Sequence, residues 1–500
     1  MPEDLCSALF ATARRAPATV ALAWPRAEGG EESWTHGRLL EAAEGTAREL
    51  ARRGVVGGDR IAILAATSPA FVVAALGALR AGATLVPINT AYRRREIAYL
   101  LEDAAPKLLL VGSGERAAVD ELAPGERGGV EAILDVEPLA AARPAPDRAF
   151  PEIGPGDLAL LLYTSGTTGR SKGAELSHGN VVAMIRSLRE AWAWTPADRL
   201  LLALPLFHLH GLVVGLFTAL ASGATVRLEP RFDAARALDR LGRGEATLFF
   251  GVPTLYVRLV EELRRRAPAP DLSTVRLFVS GSAPLAPETF AEFEARTGQR
   301  ILERYGMSET GMLLGNPLDG PRVAGSVGLP LPGVEARLVD ADGTLVGAGE
   351  EGEIEVRGAG VCRGYRNAPE KSAESFREGW FRTGDRARID PATGYYFLLG
   401  RASELILSGG FNVYPREIEE VLLALPGVRE AAVVGEKHAE FGESPVAFLV
   451  ADHPLDEAAL AAHCRAQLAP FKRPRRFVRV ERLPRNAMGK VEKRRLAELL

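Results

Sequence analysis

Three short apolar runs, at 60–64, 84–88 and 107–111, alternate with two stretches, 71–80 and 94–102, in which apolar residues recur at helical spacing. Apolar runs of this length without polar alternation suit strands covered on both faces. Helices between successive strands are what parallel pairing requires, because a parallel partner is reached only by a crossover. This part of the chain is therefore expected to be α/β, with a parallel sheet. Residues 69–87 are the most membrane-like segment, but Arg80, several Gly and Ala residues and the closing Pro87 suit a buried helix and strand better than a bilayer span. Residues 112–155, rich in Gly, Ala and Pro, are expected to include a surface connection, although the apolar 130–134 keeps the whole segment from being linker.

The chain has 500 residues, more than one domain usually holds, so at least two domains are expected. Hydrophobic residues make up 47% and charged residues 25%, a balance that excludes disordered and fibrous classes. A formal charge of −3 offers no global basic field for nucleic acid or an anionic membrane, and no obligate protein partner is inferred. Cys6, Cys362 and Cys464 are odd in number and far apart, matching neither a disulfide framework nor metal-ligand spacing; they read as reduced thiols. The opening Met1-Pro2-Glu3-Asp4 lacks a basic segment followed by an apolar core, so a cytoplasmic location is expected.

The segment most informative about chemistry is Tyr163-Thr164-Ser165-Gly166-Thr167-Thr168-Gly169-Arg170-Ser171-Lys172-Gly173, directly after the strand-like run 158–162. Its glycines permit close backbone approach, its hydroxyls and amides can donate to phosphate oxygens, and Lys172 adds positive charge. The order of residues is not that of a Walker A loop, so a different ATP-binding fold is required. Standing alone, the segment also reads as an ordinary polar connection.

Further motifs follow in order: Gly281-Ser282-Ala283-Pro284-Leu285, Glu303-Arg304-Tyr305-Gly306-Met307-Ser308-Glu309-Thr310, Thr383-Gly384-Asp385, Gly400-Arg401 and Pro484-Arg485-Asn486-Ala487-Met488-Gly489-Lys490. Together they resemble the acyl-adenylate-forming superfamily, which includes acyl-CoA synthetases, nonribosomal-peptide adenylation domains and firefly-type luciferases. The resemblance runs along almost the whole chain. It implies a large N-terminal domain of packed sheet subdomains with helices, residues 1–401, and a small mobile α+β C-terminal domain, residues 402–500, with the active site between them.

Carried onto the matching positions, the resemblance implies that Thr164, Ser165, Gly166, Thr167, Thr168, Gly169 and Lys172 hold ATP phosphates. Gly281, Ser282, Ala283, Pro284, Glu303, Arg304, Gly306 and Met307 surround the nucleotide, with Tyr305 near adenine and Ser308 on the α-phosphate. Asp385 accepts from ribose hydroxyls, and Arg401 contacts ribose or phosphate. Glu309 positions Mg²⁺, and Lys490 joins Thr164 and Glu309 in adenylation, neutralising charge as a carboxylate attacks the α-phosphate. CoA is expected at His208, Ser408, Gly409, Gly410 and Phe411. Taken singly, Glu309 is also a solvated or helix-capping acid, Asp385 part of a turn, Lys490 a surface charge, and 408–415 a turn before a helix at 416–423. One departure lies at the hinge, where Ser403 stands in place of the Asp or Lys more common in relatives.

For the acid, the runs 205–211 and 250–258, the signatures above and the Arg170-Ser171 variant of the loop are most similar to malonyl-CoA synthetases. At the matching positions, Arg258 and Ser282 would bind the distal carboxylate of malonate, while His208 and Met307 border the acyl group. An arginine suits that task because its donor fork matches a carboxylate. Arg258 equally suits the exposed side of a helix at 254–264. Residues 312–317 depart from the more polar version in some malonate ligases, so methylmalonate, another short or medium-chain acid, a carrier-protein acceptor and a non-catalytic nucleotide binder all stay open.

Overall fold

The computed structural model describes residues 4–26, 29–141, 150–164, 171–401, 404–408, 411–438, 442–468, 470–486 and 489–500. The alternation read from the sequence folds as expected: strands Arg60–Leu64, Thr84–Pro87 and Leu108–Val111 are parallel neighbours, linked through helices Pro69–Arg80 and Arg94–Ala104. Ala132–Asp135 and Leu158–Thr164 extend the parallel set on either side. Lys172–Ser177 then closes a six-stranded sheet as an antiparallel partner of Leu158–Thr164, with Thr164 opposite Lys172. That pairing brings the two ends of the loop motif together at one edge of the sheet.

Helix Pro69–Arg80 shows why 69–87 suits a protein interior. Ser68 caps it by accepting from the Phe71 amide at 3.1 Å, Pro69 takes the first turn where no intrahelical donor is needed, and every residue from Phe71 to Leu79 is buried. No described helix is long and apolar enough to cross a membrane. The three cysteines are buried and free. The segment 112–155 holds more structure than a connection: helix Arg116–Asp120, the edge strand Ala132–Asp135 and helix Val136–Ala140, whose Val136 and Leu139 are buried in the main core. The strand falls on the apolar run 130–134 that set this part apart from linker, and it gains its partner, Leu108–Val111, from more than twenty residues upstream.

A second sheet of fourteen strands contains a parallel array: Val20–Pro25, Thr225–Leu228, Arg199–Leu202, Leu248–Gly251, Leu277–Ser280 and Ile301–Met307, in that spatial order. Beyond Ile301–Met307 the pairing becomes antiparallel and passes through Gly311–Gly315 and Ser326–Pro330 to Tyr396–Arg401 and Trp380–Ile389. One core joins side chains from both large sheets. A third sheet, five strands, is built wholly from residues after 404 and has two apolar clusters of its own.

Candidate active site

In an open α/β sheet, ligands gather at the carboxyl ends of parallel strands, where loops and helix N-termini present unpaired groups. The sequence motifs lie at such ends. Gly281-Ser282 follows strand Leu277–Ser280, Met307-Ser308-Glu309 closes Ile301–Met307, and helix Pro253–Arg264 follows Leu248–Gly251. The run 203–209 follows Arg199–Leu202 and leads into a buried π-helix, His210–Phe217, a rare conformation associated with functional sites.

Glu309 forms the first cluster. It is 5% exposed, and its Oε1 accepts from the Thr164 hydroxyl at 3.2 Å and from the Tyr365 hydroxyl at 3.1 Å. Its backbone carbonyl accepts from the Cys362 amide at 2.7 Å, which ties it to the segment carrying Tyr365. That segment runs along strand Lys172–Ser177 through a bridge between Ala174 and Tyr365, so the Lys172 ammonium comes 5.9 Å from the Tyr365 ring centroid. Partial burial and the nearby Lys371 lower the Lys172 pKa, while Glu374 and Glu309 oppose that shift. Burial and the Glu309 charge push the Tyr365 hydroxyl up, keeping it a donor. Sequence reasoning named Thr164, Lys172 and Glu309 but missed Tyr365, which sits in no motif and joins Glu309 only through tertiary pairing.

The second cluster joins Tyr305 to Asp385. The Tyr305 hydroxyl donates to Asp385 Oδ2 at 2.5 Å, and both residues are largely buried. Thr383 orients this turn: its hydroxyl accepts from the Asp385 amide at 3.1 Å and donates to the Ile354 carbonyl at 2.8 Å. Asp385 faces Arg401 across the ladder of Trp380–Ile389 and Tyr396–Arg401. Gly306 permits the tight return to Gly311, since an added Cβ would meet the Gly311 carbonyl at 2.2 Å. Met307 and Ser308 beside it are half-buried.

The third cluster contains His208, His210 and Ser282. Ser282, exposed, holds a left-handed φ of 72°, and its hydroxyl lies 3.4 Å from His210 Nδ1. Burial lowers His208 to about 4 and drives His210 well below the ordinary histidine range, with Arg304 and His208 adding repulsion. Both rings are therefore neutral at pH 7. His210 carries no separate signal beyond its place in the 205–211 run.

Other named residues stand elsewhere. Ala283 and Pro284 are exposed. Glu303 is buried and accepts from the Gly325 amide at 2.8 Å; burial pushes its carboxyl up to about 7. Arg258 is exposed on helix Pro253–Arg264 and has no hydrogen bond or ion pair with a described residue. Ser408 is buried in strand Ile406–Ser408, and Lys490 is exposed in a hairpin where its amide donates to Asn486 Oδ1 at 2.9 Å. Ser165, Gly166, Thr167, Thr168, Gly169, Ser403, Gly409 and Gly410 lie outside the described residues, as do the side chains of Arg401 and Phe411.

The chain belongs to the AMP-binding enzyme family: that family's profile matches residues 9–366, and the profile for the AMP-binding enzyme C-terminal domain matches 417–490. It is similar to a mitochondrial malonate–CoA ligase of Mus musculus, 36% identical over 93% of this chain and 87% of that protein. A sulfoacetate–CoA ligase of Cupriavidus necator is 37% identical, over 92% of each. Among solved structures, ATP-bound MatB from Rhodopseudomonas palustris matches with a TM-score of 0.91 and 40% identity, over 100% of this chain and 99% of that one.

Proposed function

We propose that this protein is an ATP-dependent acid–CoA ligase that converts malonate, through malonyl-AMP, into malonyl-CoA with release of pyrophosphate and AMP. The observation that carries the reading is the Glu309 carboxylate, held by Thr164 and Tyr365 beside Lys172, on the same strand-loop unit as the Tyr305–Asp385 pair. The first group suits the phosphate end of a nucleotide, the second its ribose and base. The malonate–CoA and sulfoacetate–CoA ligases among the relatives share one substrate feature, a second anionic group on a short acid.

In the first half-reaction a carboxylate oxygen attacks the α-phosphorus of ATP and pyrophosphate leaves. Lys172 and the loop beginning at Thr164 hold phosphate oxygens, and Ser308 orients the α-phosphate. Asp385 accepts from the ribose hydroxyls, with Tyr305 packed at the base. Glu309 suits Mg²⁺, since a hard cation takes oxygen ligands and this buried carboxylate is already oriented through one oxygen by two hydroxyl donors. When bound, the ion supplies neutralisation of phosphate charge. Lys490, on the smaller domain, approaches the carboxylate and α-phosphate for this step.

In the second half-reaction the CoA thiol, as thiolate, attacks the acyl carbonyl and AMP departs with its bonding electrons. Residues 402–500 form a mobile domain that withdraws Lys490 and presents Ser408, Gly409, Gly410 and Phe411 to CoA, while His208 borders the acyl and thiol sites.

The test measures pyrophosphate release and CoA-thioester formation with malonate, methylmalonate, acetate, butyrate and benzoate, with ATP, Mg²⁺ and free CoA. Malonate is expected to give the highest kcat/KM, with malonyl-CoA as product. Preference for acetate, butyrate or benzoate would overturn the choice of acid and keep the ligase. Pyrophosphate release with transfer to a phosphopantetheinyl protein but not to free CoA would overturn the acceptor.

A further inference from the structure

Lys490 stands in a hairpin whose own bonds are short-range. Arg485 bridges to Val491, the Asn486 amide donates to the Lys490 carbonyl at 2.8 Å, and the Glu492 amide donates to the Pro484 carbonyl at 2.8 Å. These bonds set the hairpin's shape but not its orientation. Leu483 and Leu496 flank it and are buried in one apolar cluster, an attraction without direction. Orientation therefore falls to the ion pairs on its two arms. The entry arm pairs through Arg485 with Glu430 of strand Val428–His438.

The exit arm reaches Lys493 only three residues beyond Lys490, at the start of helix Lys493–Ala497. The two lysines are placed oppositely. Lys490 is exposed, whereas Lys493 has a side chain 19% exposed and an ammonium 2.8 Å from Glu419 Oε1 and 3.3 Å from Glu404 Oε2. Burial opposes the Lys493 charge, but the Glu419 and Glu404 carboxylates outweigh it and raise the pKa, so the ammonium stays cationic between two acids. Glu419 lies on helix Pro415–Leu423, and its Oε1 also accepts from the Val433 amide at 2.8 Å, which makes it part of the framework of residues 402–500. Glu404 has a different place. It precedes strand Ile406–Ser408, on the segment where the chain leaves Arg401 and enters the smaller unit.

We propose that Lys493, acting through Glu404, is a positioning residue that makes the Lys490 hairpin turn as one body with the chain entering the C-terminal domain. Rotation about 401–404 is then passed to Lys490 without slack. This rests on the acid–CoA ligase reading and adds to it the tie that aims its mobile lysine. Lys493 touches no substrate. In adenylation the Lys490 ammonium meets charge developing on the carboxylate and α-phosphate, where a misplacement of about 1 Å costs on the order of a hundredfold. During transfer to CoA Lys490 is withdrawn, so slack in the hairpin has little effect.

Glu404→Gln in the full-length protein is the central test, because it leaves the 2.8 Å Lys493–Glu419 pair intact and strands no charge. Its kcat for pyrophosphate release with malonate is expected to fall about ten- to a hundredfold. The KM for ATP stays within about twofold, and transfer from supplied malonyl-AMP to CoA changes by less than about threefold. Lys493→Met gives the same pattern, and the double variant loses no more than the worse single one, since both substitutions cut one tie. Lys493→Arg, which keeps the charge, retains most of the wild-type rate; it and Glu404→Gln decide the matter if Lys493→Met does not fold. An unchanged pyrophosphate rate in an active enzyme, equal losses in both half-reactions, or losses that multiply in the double variant overturn the proposal. Distances between spin labels at Lys490→Cys and Ala459→Cys, both exposed positions, need no turnover, and Cys6, Cys362 and Cys464 are buried. A distribution that is narrow in the otherwise wild-type chain and broadened by Glu404→Gln upholds the tie even if no acid supports pyrophosphate release and the ligase reading fails. An unchanged distribution overturns it.

Discussion

Tyr365→Phe isolates one hydrogen bond at the phosphate end of the site. The substitution removes the hydroxyl that donates to Glu309 Oε1 at 3.1 Å and keeps the ring that faces Lys172 at 5.9 Å. Thr164 continues to donate to the same oxygen at 3.2 Å, so Glu309 Oε1 loses the Tyr365 hydroxyl and keeps that of Thr164. A hydrogen bond to an ionised acceptor contributes about 1.5–3 kcal/mol, which is roughly 10- to 150-fold in rate if Glu309 is held for the adenylation transition state. The assay is pyrophosphate release at limiting Mg²⁺-ATP and saturating malonate, paired with thioester formation from supplied malonyl-AMP and CoA. The first is expected to fall within that range and the second to change little. Because Thr164 and Tyr365 share one acceptor oxygen, the double variant with Thr164→Val is expected to lose more than the product of the two single losses. A Tyr365→Phe enzyme within twofold of wild type in adenylation, or equally impaired in both half-reactions, would refute the assignment of Glu309 to the phosphate step.

Lys490→Ala is expected to suppress pyrophosphate release far more than transfer from supplied acyl-AMP; equal losses would remove Lys490 from adenylation. Arg258→Ala, at an exposed position without a described partner, is expected to leave the melting temperature unchanged and to lower malonate use relative to acetate, and equal losses for the two acids would reject its acyl role. Glu303 titrates near 7 in the folded chain, against an ordinary value of 4.5, because burial outweighs the Gly325 and Leu285 amides and Arg416. The folded state therefore holds this proton more tightly than the unfolded one. Its stabilising contribution is present below pH 4.5 and is lost as pH rises to 7, a change of about 3 kcal/mol. Glu303→Gln is accordingly expected to raise the denaturant midpoint relative to wild type at pH 8 and to show little difference at pH 4.5; a pH-independent difference would contradict it.

The amino-acid sequence determined the elements whose signal is local. Strands Arg60–Leu64 and Leu108–Val111, and helices Pro69–Arg80 and Pro253–Arg264, follow from apolar runs and periodicity that ask only which side chains lie a few residues apart. Ordered motifs likewise put Thr164, Glu309, Tyr305 and Asp385 on one short roster. What tertiary structure decided are the pairings between distant residues. Glu309 meets Tyr365 across 56 positions and Tyr305 meets Asp385 across 80, and no local pattern encodes either contact. The apolar run 130–134 marked the edge strand Ala132–Asp135 as more than linker, but its pairing with Leu108–Val111 at the sheet edge is set by the ladder and not by its own composition. Arg304 marks the limit most clearly. In the sequence it is one more residue of a nucleotide motif, and burial beside Gly281 with three unpartnered nitrogens is a property of packing that only the assembled sheet creates.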